Sequence, residues 1–232
     1  MLVHLDQNYA SRIAKHLLGQ ASHAHFGPVL ESLRSLGACV PASPFHVLET
    51  RGGYLLPTLR TLFEELSGGW WTRAWQEVLR RQVARGAVDV ADLLTRSGDW
   101  GTPATLAPVE DLLELAPTGS GVRHRQRLRT VLADRLSVPV EDAATSPSID
   151  LLTRLVVFRA SDAERADRPS DLTDLVMAAT VAPYVDALAT DRYLAEMLRR
   201  VGHADPVFSG RRPDVLRFAA WLQGRAPEPP AG

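Results

Sequence analysis

Leu2-Val3-His4-Leu5-Asp6-Gln7-Asn8 decides how the rest of the chain is read. Leu2 to Leu5 form a short apolar run, broken only by His4, of the length expected for a strand buried in a sheet, and the run stops at a carboxylate. Ile13, Ala14, Leu17 and Leu18 then recur with helical spacing until Gly19, a residue suited to ending a helix. A second helix is expected at about 26–36, closed by Gly37, and 38–41 read as a second strand. Ser43-Pro44 has the form of a helix start, a capping hydroxyl followed by proline at the first helical position. That helix carries His46 and Glu49 and stops at Gly52-Gly53. Strand, helix, strand, helix in this order favours a parallel sheet.

Downstream the pattern changes and then returns. Residues 55–66 and 71–84 have helical periodicity, broken at Ser67-Gly68-Gly69, and 97–105 read as a loop. Helices are expected again at 109–115, 123–136 and 148–158, with no strand of useful length and no fixed repeat. From 171 the alternation resumes: a helix at 171–181, a strand at 185–189, a helix at 191–201, a possible last strand at 206–208 and a helix at 212–222. The expected fold is therefore α/β in three layers. A central parallel sheet of about four to five strands has helices on both faces, and a mainly helical insertion is added. The expected organisation is a first half at 1–53, the insertion at 54–160, a second half at 161–224 and a flexible tail at 225–232.

The composition is that of a globular protein: 232 residues, 45% hydrophobic and 23% charged, with a formal net charge of −1. That balance argues against a general polyanion-coating surface but leaves room for a local basic face. Cys39 is the only cysteine, which excludes an intramolecular disulfide and a thiolate zinc site. No apolar run reaches the length of a membrane span and no signal peptide is visible, so a cytoplasmic location and no membrane partner are expected. Phosphate-loop, zinc-protease and serine-hydrolase motifs do not occur.

Four carboxylates stand at element edges: Asp6 after the first strand, Glu49 on the third helix, Asp174 on the helix at 171–181, and Asp191 after the strand at 185–189. In open α/β sheets, ligands gather beyond the carboxyl ends of the strands. Packed carboxylates repel one another unless a cation neutralises them, and hard cations such as Mg²⁺ prefer oxygen donors.

Asp6-Gln7-Asn8, helical Glu49, Asp174 ahead of Ala178-Ala179, and Thr190-Asp191 together resemble the PIN-like nuclease family. The likeness is to its larger members with an Asp-Gln-Asn motif, and it covers roughly the first 55 residues and about 40 near 171–210. The resemblance implies that Asp6, Glu49, Asp174 and Asp191 are both the catalytic residues and the metal ligands, with Asn8 and Thr190 in support. It implies Mg²⁺ or Mn²⁺ as cofactor and phosphodiester hydrolysis as the reaction. The implied partner is nucleic acid, RNA more than DNA, and a homodimer is left open. The long middle segment has no counterpart in the compact toxin-like members.

Each carboxylate also has an ordinary structural role. Asp6 and Asp191 can cap the helices they precede, Asp174 can favour a helix dipole, and Glu49 can be a solvated surface residue. Asp171, with Ser170, reads as a cap, and Asp186 as a strand-start residue. His46 shares a helix face with Glu49 and reads as a satisfied histidine, His4 as a structural one. The basic run Arg123, Arg125, Arg127 and Arg129 could track a phosphate backbone or simply be a solvated face, with Arg199-Arg200 and Arg211-Arg212 as candidates to join it. Trp71 and Trp75 read as core residues at helical spacing. Two functional alternatives remain beside the nuclease: a catalytically inactive binding or scaffold protein of the same fold, and a metal-dependent phosphatase acting on small phosphoesters.

Overall fold

The structure is a computed structural model and describes residues 1–50, 53–116, 121–162 and 168–225. Gly52, half of the expected stop after the third helix, and most of the tail lie outside the described residues. Three strands form a parallel sheet in the order β1 (Val3–Leu5), β4 (Ala187–Thr190), β5 (Val207–Ser209). Every residue of these strands is buried, as expected for parallel strands covered on both faces. Leu5 pairs with Ala189 and Thr190 with Ser209, so the three carboxyl ends lie at one edge.

The sheet is smaller than the sequence suggests. The expected strand at 38–41 is reduced to isolated parallel bridges, Leu2 with Cys39 and Ala42 with Trp71. Val3 N–H donates to Cys39 O at 2.9 Å, and Cys39 N–H to Met1 O at 3.0 Å. This segment makes single contacts to two different neighbours, too few to build a ladder. β1 nevertheless has the Cys39 segment on one side and β4 on the other. The chain thus leaves β1 in one direction and returns on the opposite side, which places the reversal of strand order at the carboxyl ends of β1 and β4.

Alternation along the strands sorts the core. Val3, Leu5, Ala187, Ala189 and Phe208 pack with α1 (Gln7–Leu17), α2 (Gly27–Ser35), α4 (Leu56–Ser67) and α12 (Arg212–Gln223). Leu188 and Val207 face the other way, toward a core that draws on α5 (Trp75–Arg85), α9 (Pro147–Ala160), α10 (Pro169–Val181) and α11 (Arg192–Arg200). Helices therefore cover both faces. α4, which the sequence reading groups with the middle segment, shares the core of α1 and β1. α10, grouped with the last third, shares that of α9.

α1 and α2 end as expected, with Gly19 and Gly37 at positive φ, 77° and 56°. α3 (Pro44–Thr50) starts at proline, and Ser43 Oγ accepts from His46 N–H at 3.2 Å. The middle departs from expectation in two places. Trp71 lies not in a helix but in β2 (Trp71–Thr72), paired antiparallel with β3 (Leu94–Thr95), so it does not share a helical face with Trp75. Gly98 packs against its ring: a Cβ there would stand 2.2 Å from Trp71 Cγ. Residues 109–115 form turns after a short 3-10 segment, Ala107–Val109, rather than a helix.

The remaining elements are α6 (Val90–Leu93), α7 (Gly121–Leu136) and α8 (Val140–Thr145). Gln82 ties this region together. Its buried amide donates to Tyr184 Oη at 3.0 Å and accepts from Ser146 Oγ at 2.5 Å and Ser148 N–H at 3.0 Å. No helix among the described residues is long and apolar enough to cross a membrane.

Candidate metal centre

Asp6 is built into the edge of the sheet. Its backbone N–H donates to Ala189 O at 2.9 Å, continuing the β1–β4 pairing by one residue. Asp6 Oδ1 accepts from Tyr9 N–H at 2.7 Å and caps α1. Oδ2 accepts from Thr190 Oγ1 at 2.5 Å and from Asp191 N–H at 3.0 Å. A carboxylate offers about four lone-pair positions. Three are used, and the one left is on Oδ1. Capping and metal ligation are therefore compatible for Asp6, but only through a single oxygen.

Asp191 repeats the arrangement one strand over. Its Oδ1 accepts from Leu194 N–H at 2.8 Å and caps α11, while Oδ2 has no protein partner among the described residues. Both expected caps are real caps. Their common register at the ends of β1 and β4 places two carboxylates side by side.

Glu49 reaches the same edge from α3, and His46 fixes that helix. His46 Nδ1 accepts from Ser43 N–H at 3.0 Å, so the proton sits on Nε2, which donates to Leu5 O at 2.8 Å. This joins α3 to the carboxyl end of β1, one residue before Asp6. Burial lowers the His46 pKa to about 4, so the ring is neutral, a satisfied histidine rather than a substrate contact. His4 stacks on it with ring centroids 5.4 Å apart.

Asp174 comes from α10, on the opposite face of the sheet from α1. Neither Asp174 nor Glu49 has a hydrogen-bond or ion-pair partner among the described residues. The four groups lie near enough to repel. Burial first, then Glu49, Asp6, Asp191 and Asp171 in that order, push Asp174 up to about 8. Glu49, open to solvent at the rim yet surrounded by protein on most sides, is pushed to about 7 by burial and then by Asp6. Asp6 rises to about 6 through burial, with Asp191 adding to it, against the lowering pull of its own hydrogen bonds.

The side chains are gathered but not closed on one point. Among the described residues, no three acidic, histidine or cysteine side chains stand in a coordinating arrangement. Chemically the set offers only oxygen donors, which suits Mg²⁺ or Mn²⁺ and not a soft metal.

The other sequence candidates fall elsewhere. Asn8 is exposed on the first turn of α1. Asp171 is no cap: α10 begins earlier, at Pro169, and Asp171 Oδ2 accepts from Arg159 Nε at 2.6 Å, with both side chains buried. Asp186 lies at the amino end of β4, where its Oδ2 accepts from Leu2 N–H at 2.7 Å, on the far edge from the four carboxylates. α7, with Arg123, Arg125, Arg127 and Arg129, packs on α5, α8 and α9, none of which carries a site carboxylate. Arg129 is moreover paired with Asp150.

A cleft of about 770 Å³ opens instead beside Asp191, with Arg12, Arg168, Arg192 and Arg200 in its walls. Sequence reading passed over Arg12 and Arg192. A signal was present: Asn8, Arg12 and Lys15 fall on one face of α1 at spacings of four and three. Comparison with protein-family models, curated proteins and solved structures found no match to this chain.

Proposed function

We propose that this chain is a Mg²⁺- or Mn²⁺-dependent nuclease that hydrolyses phosphodiester bonds in RNA or other single-stranded nucleic acid, in the manner of the PIN-like nucleases its motifs resemble. One observation carries the reading. Four carboxylates from the ends of β1 and β4 and from α3 and α10 crowd one edge of the sheet, and two of them have no partner among the described residues. A stable fold has no structural use for such repulsion, whereas a divalent cation and a phosphate substrate supply what is missing.

In this reading Asp6 is the fixed ligand, oriented by Thr190 and limited to its free Oδ1 position. Glu49 and Asp174, without partners among the described residues, would supply the further oxygen ligands. Asp191 contributes Oδ2 from the neighbouring strand. A bound ion supplies Lewis-acid charge at the phosphate and lowers the pKa of a coordinated water. Without it, Asp174 holds a proton on its carboxyl near neutral pH.

The test is cleavage of a labelled single-stranded RNA with and without Mn²⁺, alongside Asp6→Asn and a small aryl phosphate. Metal-dependent RNA cleavage lost in Asp6→Asn supports the proposal. Unchanged cleavage in that variant, or turnover of the aryl phosphate alone, overturns it.

A further inference from the structure

The positive groups near the site form a strip that α7 does not share. Arg12, on α1, stands in the cleft wall and donates from Nη1 to Gly210 O at 2.5 Å. On its outer side lie Lys15, His23, His25 and Arg212. Burial first, then Arg212 and Arg12, hold His25 below its ordinary value, and His23 is lowered by burial, then Lys15, Arg12 and His25. The positive charges of Lys15, Arg12 and Arg212 thus stand close enough to hold both histidines toward their neutral form. Among the described residues, Arg12, Lys15, Arg168, Arg192 and Arg212 pair with no carboxylate. Several other arginines, including Arg129, Arg135, Arg154 and Arg159, are paired with carboxylates.

The cleft itself has a mixed lining. Phe158, Tyr193 and Met197 supply apolar surface, Asp162 accepts from Tyr193 Oη at 3.1 Å, and Arg200 is held by Glu196 at 2.8 Å. Arg168 and Arg192 are left as its exposed, unneutralised cations, and Asp191 marks where it meets the carboxylates. Its volume suits a single small ligand unit rather than a double helix. Aromatic surface beside a run of cations is the combination that holds unpaired bases and their phosphates.

Resting on the nuclease reading, we propose that the strip from Lys15 and Arg212 through Arg12 to Arg192 and Arg168 is the track of a single-stranded substrate. One nucleotide lies in the cleft against Phe158 and Tyr193, and the backbone then passes Asp191. α7 takes no part. The path assigns the phosphate contacts to α1, α11 and the start of α12, and it delivers the strand to the carboxyl edge of β1 and β4.

The experiment is binding of a fluorescent 12-nucleotide single-stranded RNA by anisotropy, in EDTA so that no cleavage occurs, over a series of salt concentrations. Arg192→Ala combined with Arg212→Ala removes two exposed side chains that hold no hydrogen bond among the described residues, so the fold is left intact. The expected result is binding weakened at least tenfold at low salt, with the slope of log affinity against log salt shallower by about 1.4 for two lost single-strand phosphate contacts. The control, Arg123→Ala, Arg125→Ala and Arg127→Ala together, is expected to bind as the unaltered chain does. Loss of binding in the α7 variant with none in the double variant overturns the track, as does equal affinity for a duplex. Because metal is absent, the two readings separate. RNA cleavage with strip-independent binding sinks the track alone, and strip-dependent binding without cleavage sinks the nuclease alone.

Discussion

Thr190 donates its hydroxyl to Asp6 Oδ2 at 2.5 Å across 184 positions of sequence. The bond joins the ends of two parallel neighbours, fixes which oxygen of Asp6 stays free, and makes the sheet edge a rigid support for one carboxylate. Glu49 and Asp174 come from α3 and α10 and meet that support without partners of their own among the described residues.

Thr190→Val keeps the buried shape and deletes this bond. The expected cost is about 1.5–3 kcal/mol of stability, the range for a hydrogen bond to a charged group. Mn²⁺ affinity should fall about 10–100-fold, because a group that orients a ligand is lost. Calorimetric Mn²⁺ titration measures it. An unchanged affinity would mean that Asp6 does not ligate or does not need orienting.

Asp174→Asn separates a metal site from a helix-dipole role. In the metal-free chain it removes a charge that Glu49, Asp6 and Asp191 all oppose, so melting at pH 8 should rise by a few degrees and at pH 5 scarcely move. Stabilisation by Mn²⁺ should vanish. A residue serving only the dipole would lower the melting temperature when neutralised and leave the metal response as it was.

The pH dependence has a definite sign. Asp6, Glu49 and Asp174 have folded-state pKa values raised to about 6, 7 and 8. The folded state therefore binds more protons than the unfolded one between the ordinary carboxylate range and pH 8. Their contribution to stability is fully present below the unfolded values and is lost as pH rises through 6 to 8. Melting curves of the metal-free chain should fall over that window, and saturating Mn²⁺ should restore more at pH 8 than at pH 5.5. A Mn²⁺ increment independent of pH would contradict proton displacement from this cluster.

Arg159 and Asp171 pair at 2.6 Å, both nearly inaccessible, and tie α9 to the helix that carries Asp174. Arg159→Ala leaves a buried carboxylate without this partner, at an expected cost of about 3–5 kcal/mol in chemical denaturation. A loss below 1 kcal/mol would mean that the carboxylate finds water or another donor.

The sequence made some of this plain and not the rest, for physical reasons. β1, α1 and the caps at Asp6 and Asp191 were legible because each signal is local, an apolar run or a carboxylate three residues before the amide it caps. The strand expected at 38–41 was not, because Cys39 and Ala42 bridge to two different segments, a tertiary fact without local trace. Trp71 looked helical because Trp75 follows at four residues, yet its ring rests on bare Gly98. Asp171 imitates a cap and is claimed by Arg159 across a gap of twelve residues. The charge on α7 was obvious, but periodicity says nothing of where a helix face points relative to a site on another element.

The most direct measurement is the anomalous scattering of a crystal soaked in Mn²⁺. The account predicts one or two peaks at the carboxyl edge of β1 and β4, about 2.0–2.2 Å from Asp6 Oδ1. Glu49, Asp174 or both should be turned inward, with Asp191 Oδ2 bound directly or through water. A saturated crystal with no peak at this edge and the four carboxylates still apart would contradict it.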